Sequence, residues 1–369
     1  MSLESRRYVD MKTIAEKTAS GRKLRIAVIK TDGIGDAVLA SPFLFELRKF
    51  FKNAEITGFL SPAGKEVLDN QGIFDTITVI DPLWLKYKKV FFIKRIASAM
   101  KLLSAVNKAK PDILISLRYQ DRLTSLVTSL AQAKEKTGYN VLGMGFGINN
   151  KVIPLPPGTH VIEKNLNVLK YLGIKLKAPA KTGFSLSKSA VSNVRAILKK
   201  SRIKKYIVVH PVSGHLSKDW APEKYKDLIK FLSRRHKIVI AGSASDNRIK
   251  EYGGKNVYNL AGRLSIKELG ALIKTAAMVI GNDSAAVHIG AAFGVKTLTI
   301  FSGTCDYREW GAGGRKSYII RKPVECENCG LLKCNKKMHE CMEIPPEFAA
   351  DTVNKIFSGK QKQRVIIHK

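Results

Sequence analysis

Two consecutive α/β domains of the doubly wound type are what this chain predicts, on three observations. Short runs of β-branched and apolar residues alternate with stretches of helical periodicity along most of its length. The alternation occurs twice, on either side of a Lys-, Pro- and Ser-containing stretch, Lys175 to Lys188, that reads as a linker. And 369 residues are too many for one ordinary core but suit two.

Met1 to Gly21 is charged and lacks the apolar segment and small-residue cleavage site of a signal peptide, so it reads as an N-terminal extension. Leu24 to Lys30 (LRIAVIK) reads as a buried parallel strand. Ala37 to Phe51 reads as a helix with a start or restart at Ser41-Pro42. Ile56 to Leu60, Thr76 to Ile80 and Ile113 to Ser116 are further strands, and His160 to Gly173 is helical. The second alternation has strands at Tyr206 to His210, Lys237 to Ala241, Met278 to Gly281 and Thr297 to Phe301. Helices fall at Tyr225 to Arg235, Ile266 to Thr275 and Ala285 to Phe293. The expected domains are 22–165 and 166–345, followed by a terminal helix and tail over 346–369 that cross back to the first domain.

Composition narrows the class. A hydrophobic content of 45% with little low complexity indicates a folded chain. No apolar run reaches the ~20 residues that span a bilayer, so a cytoplasmic location is expected. The formal charge of +34 attracts polyanions: nucleic acid, anionic membrane or phosphorylated glycolipid. Charge alone keeps a nucleic-acid-binding protein as the rival class, but no RNA- or DNA-reading motif is present, so nucleic acid is disfavoured as a partner. Lys86 to Lys110 carries eight basic residues, among them Lys86, Lys88, Lys89, Lys94 and Arg95, and no acidic one. Val90, Phe91, Ile93, Ile96, Met100, Leu103 and Val106 interleave with them. Such a basic amphipathic helix lies on an anionic membrane or packs its apolar side on its own domain.

Three segments carry candidate chemistry. Gly33-Ile34-Gly35-Asp36 follows the first strand. Two glycines permit a tight turn where open α/β sheets hold ligands, which makes Gly33 and Gly35 turn and phosphate candidates. Asp36 is either an exposed carboxylate able to take a proton or a helix N-cap; by itself the segment reads better as the cap. His210-Pro211-Val212-Ser213-Gly214, followed by Lys218-Asp219-Trp220, offers backbone N–H groups and an ammonium to a phosphate, or is a surface loop in a basic protein. In Gly281-Asn282-Asp283-Ser284-Ala285-Ala286-Val287-His288 a helix begins at a strand end, which favours a diphosphate. Asp283 or Ser284 also reads as a cap and His288 as a core histidine. Capping and phosphate binding are compatible, because several N–H groups remain.

Cys326, Cys329, Cys334 and Cys341 have the spacing C-x2-C-x4-C-x6-C, with Cys305 apart. Four soft ligands so close together read as a structural zinc site or as a reduced, partly buried loop.

Together, GIGDAVLASP, the HPVSG block with its lysine and tryptophan, and GNDSAAVHIGAAFGV resemble glycosyltransferase family nine, the bacterial heptosyltransferases of the lipopolysaccharide core, over roughly Leu24 to Phe357. The resemblance implies a GT-B fold, two facing Rossmann-like domains with a cleft between them. It implies inverting, metal-independent transfer of heptose from a nucleotide sugar, ADP-heptose, to a lipopolysaccharide-core or related glycan acceptor; another nucleotide sugar or a protein acceptor is the alternative. By position, Asp36 matches the catalytic base and Lys218 the lysine on the donor diphosphate, with Ser213 and Gly214 in the phosphate loop. Asp283, Ser284, Ala285 and His288 fall in the donor-site block, Asp246 at an acidic ribose contact and Leu264 at the adenine pocket. Ser284 and Ala285 stand where the family has threonine and glycine. No cofactor is required, and the cysteines need hold no catalytic metal. The implied partners are the nucleotide sugar and a phosphorylated glycolipid, with peripheral contact at the cytoplasmic face of the inner membrane.

Overall fold

The computed structural model describes residues 21–83, 91–176, 181–243, 249 and 251–368. The chain divides into two compact units, Met1–Ser185 and Leu186–Lys369, so the boundary falls inside the stretch 175–188.

The first unit is a six-stranded sheet of β1 (Arg25–Lys30), β2 (Glu55–Leu60), β3 (Thr76–Val79), β4 (Ile113–Ser116), β5 (Glu135–Gly138) and β6 (Asn150–Lys151). The order is 3-2-1-4-5-6, and every pairing is parallel. Its helices are α1 (Ile34–Phe50), α2 (Pro62–Leu68), α3 (Phe92–Ala109), α4 (Arg122–Leu130) and α5 (Val161–Tyr171). The central strands read as continuous apolar runs because helices cover both faces of such a sheet: Ile26, Val28 and Ile29 are all buried. On one face Ala27, Ile29, Phe59 and Leu114 meet Ala99, Leu102 and Val106 of α3 and Val127 of α4.

The second unit has seven parallel strands in the order 13-12-11-10-7-8-9. They are β7 (Tyr206–His210), β8 (Lys237–Ile240), β9 (Val257–Asn259), β10 (Met278–Asn282), β11 (Lys296–Phe301), β12 (Ser317–Arg321) and β13 (Val365–Ile367). Helices α6 (Lys188–Lys200), α7 (Pro222–Ser233), α8 (Ile266–Lys274), α9 (Ala285–Ala292), α10 (Tyr307–Trp310) and α11 (Pro346–Phe357) complete it. Among the described residues no helix is long and apolar enough to cross a membrane.

Two domain limits need correction. The helix at 161–171 belongs with the first unit, not after a break at 165: it packs on α1, and Asn165 Nδ2 donates to Leu39 O at 3.2 Å. The tail expected to cross back is part of the second sheet. Helix α11 packs on α7, and β13 extends the sheet beside β12 in parallel register. The strands missing from the sequence reading (β5, β6, β9, β12 and β13) lie toward sheet edges; β5 (EKTG) and β6 (NK) carry no apolar run, and β9 and β13 are only three residues long.

Helix α1 also differs from expectation. It starts at Ile34 and continues through Pro42 without restarting. Proline has no N–H for the carbonyl four residues back, and here that is Val38 O. The neighbouring Ser41 hydroxyl donates to Val38 O instead, at 2.6 Å, and accepts from Gly183 N at 2.7 Å. One fully buried hydroxyl thus serves two backbone groups that would otherwise be unpaired. Ser41→Ala is expected to lower stability by about 1–3 kcal/mol, read as a fall in the urea midpoint with an unchanged m-value. Stability equal to wild type would mean that both groups find other partners.

Candidate functional site

Each sheet has one switch point, where neighbouring strands send their connections to opposite sides and a crevice opens at their carboxyl ends. In the first unit this lies between β1 and β4. Lys30 ends β1 and is buried; Arg118 lies just past β4. Both converge on Asp32: Lys30 Nζ is 2.7 Å from its Oδ2, and Arg118 Nη1 pairs with its Oδ1. Asp32 is only 6% exposed. Burial pushes the Lys30 ammonium down to about 8, against the attraction of Asp36 and with the repulsion of Arg118. Arg118 also approaches Asp121, whose carboxylate caps α4 at Leu123 N and Thr124 N.

Asp36 stands differently. It lies in the first turn of α1, whose N-cap is Gly33 with extended backbone and no side-chain cap. The cap reading of Asp36 therefore fails. Its carboxylate lies back toward Gly33, where an added methyl would sit 3.6 Å from Oδ2. Among the described residues it forms no hydrogen bond or close ion pair, and it is partly exposed. Neither Gly33 nor Gly35 takes a positive φ: Thr31, Asp32 and the extended Gly33 join the strand to the helix.

In the second unit the switch point lies between β7 and β10. Asn282 closes β10 and is fully buried. Its Oδ1 accepts from Trp220 N at 3.2 Å and Tyr225 Oη at 2.8 Å, and its Nδ2 donates to Pro211 O and Asp219 Oδ1, each at 3.2 Å. That single amide ties the loop leaving β7 to the end of β10. Trp220, edge-on to Tyr225 at 4.9 Å and donating to Ile344 O at 3.1 Å, locks the far end of the loop into the core.

The loop so held brings Lys218 to Asp283, one residue past β10. Lys218 Nζ lies 2.6 Å from Asp283 Oδ2. His288 Nε2, one turn into α9, is 3.4 Å from Oδ1, and the Cys305 thiol donates to Oδ2 at 3.6 Å. Burial pushes the Asp283 carboxyl up, but the Lys218 charge and the His288 hydrogen bond outweigh it and hold it at about 2. Burial and the same carboxylate push the Cys305 thiol up to about 12, so it remains a protonated donor. Asp283 is 4% exposed and Lys218 18%: the carboxylate is enclosed, and the ammonium still reaches the surface.

Ser284 is the N-cap of α9 but makes no side-chain cap bond; its Oγ lies 3.4 Å from His210 Nδ1. Ala285 begins the helix and is not among the residues of positive φ, so an alanine there presents its N–H as a glycine would. The first-turn N–H groups of α9 are thus not covered by the cap side chain. Ser213 Oγ donates to His215 O at 2.7 Å and shapes the start of the loop, and Gly214 is exposed with open space around it. Leu264 is half-buried in the turn that leads into α8. Asp246 lies outside the described residues, as do Lys86, Lys88 and Lys89.

Among the described residues no three His, Cys, Asp or Glu side chains converge as metal ligands. Cys341 is drawn into the second core beneath Gly303, while Cys326 and Cys329 stay exposed in their loop. Sequence reading had missed Lys30, Asp32, Arg118, Asn282 and, as a site residue, Cys305. Four of these (Lys30, Asp32, Arg118 and Asn282) share a legible signal, a polar side chain at or just past the end of a buried parallel strand.

Comparison with known proteins follows this geometry. The family model described as glycosyltransferase family 9 (heptosyltransferase) matches residues 100–339. The chain is 29% identical over 290 residues to lipopolysaccharide heptosyltransferase 3 of Escherichia coli, covering 75% of this chain and 82% of that one. It is similar in structure to a family 9 glycosyl transferase from Veillonella parvula, with a TM-score of 0.74 at 18% identity over 91% of this chain and 97% of that one. An E. coli heptosyltransferase solved with ADP-2-deoxy-2-fluoro heptose matches with a TM-score of 0.66 at 16% identity, over 90% and 99%. With two parallel, doubly wound sheets of GT-B type and a family match across most of its length, the chain belongs to glycosyltransferase family 9, the heptosyltransferases, and is a glycosyltransferase.

Proposed function

We propose that the enzyme transfers heptose from ADP-heptose to a sugar hydroxyl of the lipopolysaccharide core or a related glycan, inverting the anomeric carbon and requiring no metal. The relative solved with an ADP-heptose analogue supports the donor, and the curated E. coli relative supports the acceptor. A phosphorylated glycolipid acceptor also suits a protein of charge +34, working at the cytoplasmic face of the membrane.

One observation carries the mechanism: of two carboxylates four residues apart, Asp32 is doubly ion-paired, while Asp36 has no ion-pair partner among the described residues and is partly exposed. A carboxylate locked to two cations is a poor proton acceptor, whereas a solvated one beside a strand-end crevice suits a general base. In the proposed step the acceptor oxygen attacks the anomeric carbon and its proton passes to Asp36. The bond from that carbon to the diphosphate breaks, and its electron pair leaves with ADP. Lys218 and the N–H groups at the start of α9 are the groups suited to the leaving diphosphate. Asp283 and His288 then act as positioning residues: the carboxylate holds the Lys218 ammonium and is held in turn by the imidazole.

Asp36→Asn keeps the shape and removes the base. Turnover is expected to fall by ~10²-fold or more, with ADP affinity and melting temperature near wild type. Turnover equal to wild type would remove Asp36 from the mechanism.

Lys218→Met has two expected consequences, because its ammonium serves both a ligand and a buried carboxylate. ADP binding measured by calorimetry should weaken by roughly ten- to a hundredfold. The second is acid stability. A carboxyl at about 2 in the folded chain, against an ordinary value of 3.8, stabilises the fold above that ordinary value and loses the contribution as pH falls toward 2. Without Lys218 the folded value rises, so acid unfolding should begin at higher pH. An unchanged acid limb would show that the pair does not hold Asp283, and unchanged ADP affinity would show that Lys218 does not serve the donor.

A further inference from the structure

Helix α3 already has its core partner. Ala99, Leu102 and Val106 pack on the first sheet, and Ser98 donates to Asp81 O at 2.6 Å. Its opening turn is left over: Phe91, Phe92 and Ile93 are 79, 72 and 79% exposed. Water-facing aromatic and β-branched side chains in a row are not needed to fold this helix, and contiguous exposed apolar surface marks an interaction site.

A second apolar prong lies on the loop after β5, where Leu142, Met144 and Phe146 all face solvent, Leu142 at 70%. This loop is built. Asn140 Oδ1 accepts from Gly145 N at 2.7 Å, and Ser129 Oγ donates to Met144 O at 2.7 Å. A side chain at Gly147 would collide with Ser129 O at 2.6 Å, so the backbone is pressed against α4. Leu142 holds a left-handed φ of 49°, unfavourable for a leucine. The loop is pinned from behind with its apolar side chains turned outward.

Both prongs stand on one rim. In a parallel doubly wound sheet the strand carboxyl ends and the helix amino ends share an edge; the start of α3, the loop after β5 and the turn carrying Asp36 all occupy it. Charge identifies the occupant. The opening turn of α3 carries Lys94 and Arg95, no acidic residue occurs in the sequence from Pro82 to Pro111, and none occurs from Lys136 to Ile162. Apolar side chains on segments rich in cations match the interface of an anionic bilayer: the rings enter the acyl boundary and the cations meet the phosphates.

We infer that the Asp36 rim of the first domain docks on an anionic membrane through two apolar prongs, Phe91-Phe92-Ile93 and Leu142-Met144-Phe146. This deepens the reading of a glycolipid acceptor, since docking by that rim presents Asp36 to sugars just above the lipid surface.

The test separates docking from catalysis by using vesicles that carry no acceptor. Full-length protein is sedimented with vesicles of phosphatidylethanolamine and phosphatidylglycerol, and with vesicles of phosphatidylcholine alone. Wild type is expected to pellet with the anionic vesicles and far less with the neutral ones. Phe91→Ser/Phe92→Ser and Leu142→Ser/Phe146→Ser should each lower the anionic partition coefficient about tenfold or more, with melting temperature and transfer to a lipid-free acceptor fragment unchanged. Three results would overturn the inference: wild type partitioning equally onto both vesicle types or onto neither, variants partitioning like wild type, or a wild-type dimer in sedimentation velocity that the substitutions dissociate. Failure of transfer to any acceptor, with docking intact, would instead count against the glycosyl-transfer reading.

Discussion

A buried carboxylate paired to a cation from the neighbouring strand's loop spans the switch point of each sheet, and both candidate sites depend on it. A parallel sheet has no backbone hydrogen bonds beyond its strand ends, and at the switch point the connecting helices diverge. Nothing in the fold itself fixes the two loops to each other there. Asp32 supplies the link in the first domain, joined to Lys30 beneath it and to Arg118 from β4. Asp283 supplies it in the second, joined to Lys218 from the loop after β7. Such pairs are weak evidence of stability, because desolvating both ions consumes much of the attraction. Their consequence is geometric: each sets the position of a loop that bears chemistry.

The second domain shows how far the sequence goes to hold that geometry. The ion pair alone would let the eight-residue loop from Pro211 to Lys218 adopt several shapes with the same contact. Asn282 removes that freedom by using both donors and its acceptor oxygen on the two ends of the loop and on Tyr225. Buried amides are costly unless fully satisfied, and this one is. Beyond it, Cys305 and His288 occupy the remaining approaches to Asp283, so the carboxylate has no exposed side from which to move. The partner that still reaches solvent is the lysine.

How much of this was legible in the sequence follows from where the physical signal is strong. Central strands such as LRIAVIK and YIVVH are buried on both faces and announce themselves as apolar runs; β6 and β13 are short edge segments whose identity depends on the neighbour they pair with. Pro42 misled because a helix interior normally excludes proline, and the Ser41 hydroxyl that rescues it depends on Gly183, far away in sequence. Position after strands singled out Asp36, Lys218 and Asp283, but by itself it read Asp36 as a cap and left Lys218 open; the family resemblance supplied their expected roles. That Asp32 is locked and Asp36 is not was unreadable, because it is decided by Arg118, which no local pattern connects to either. The cysteine spacing left a zinc site and a reduced loop both open, and it says nothing of the packing of Cys341 into the core.

The two domains share a topology, 3-2-1-4 about the switch, and differ in which charge is left after pairing. In the first, two cations satisfy one carboxylate, and a second carboxylate, Asp36, has no ion-pair partner among the described residues at the helix start. In the second, one carboxylate is satisfied from several sides, and what remains at the surface is an ammonium and a helix amino end that its cap side chain does not cover. A residual anion suits a group that must give up a proton; a residual cation beside helix N–H groups suits one that must leave as a diphosphate. Glycosyl transfer with inversion needs both, on different reactants and in a single step. A single switch point with both residual charges would let Asp36 and Lys218 neutralise each other, as Lys218 and Asp283 already do. In the proposed mechanism, distributing the two charges over two copies of one fold keeps the Asp36 carboxylate without an ion-pair partner among the described residues, and that electrostatic constraint is a physical reason for this chemistry to occupy two domains.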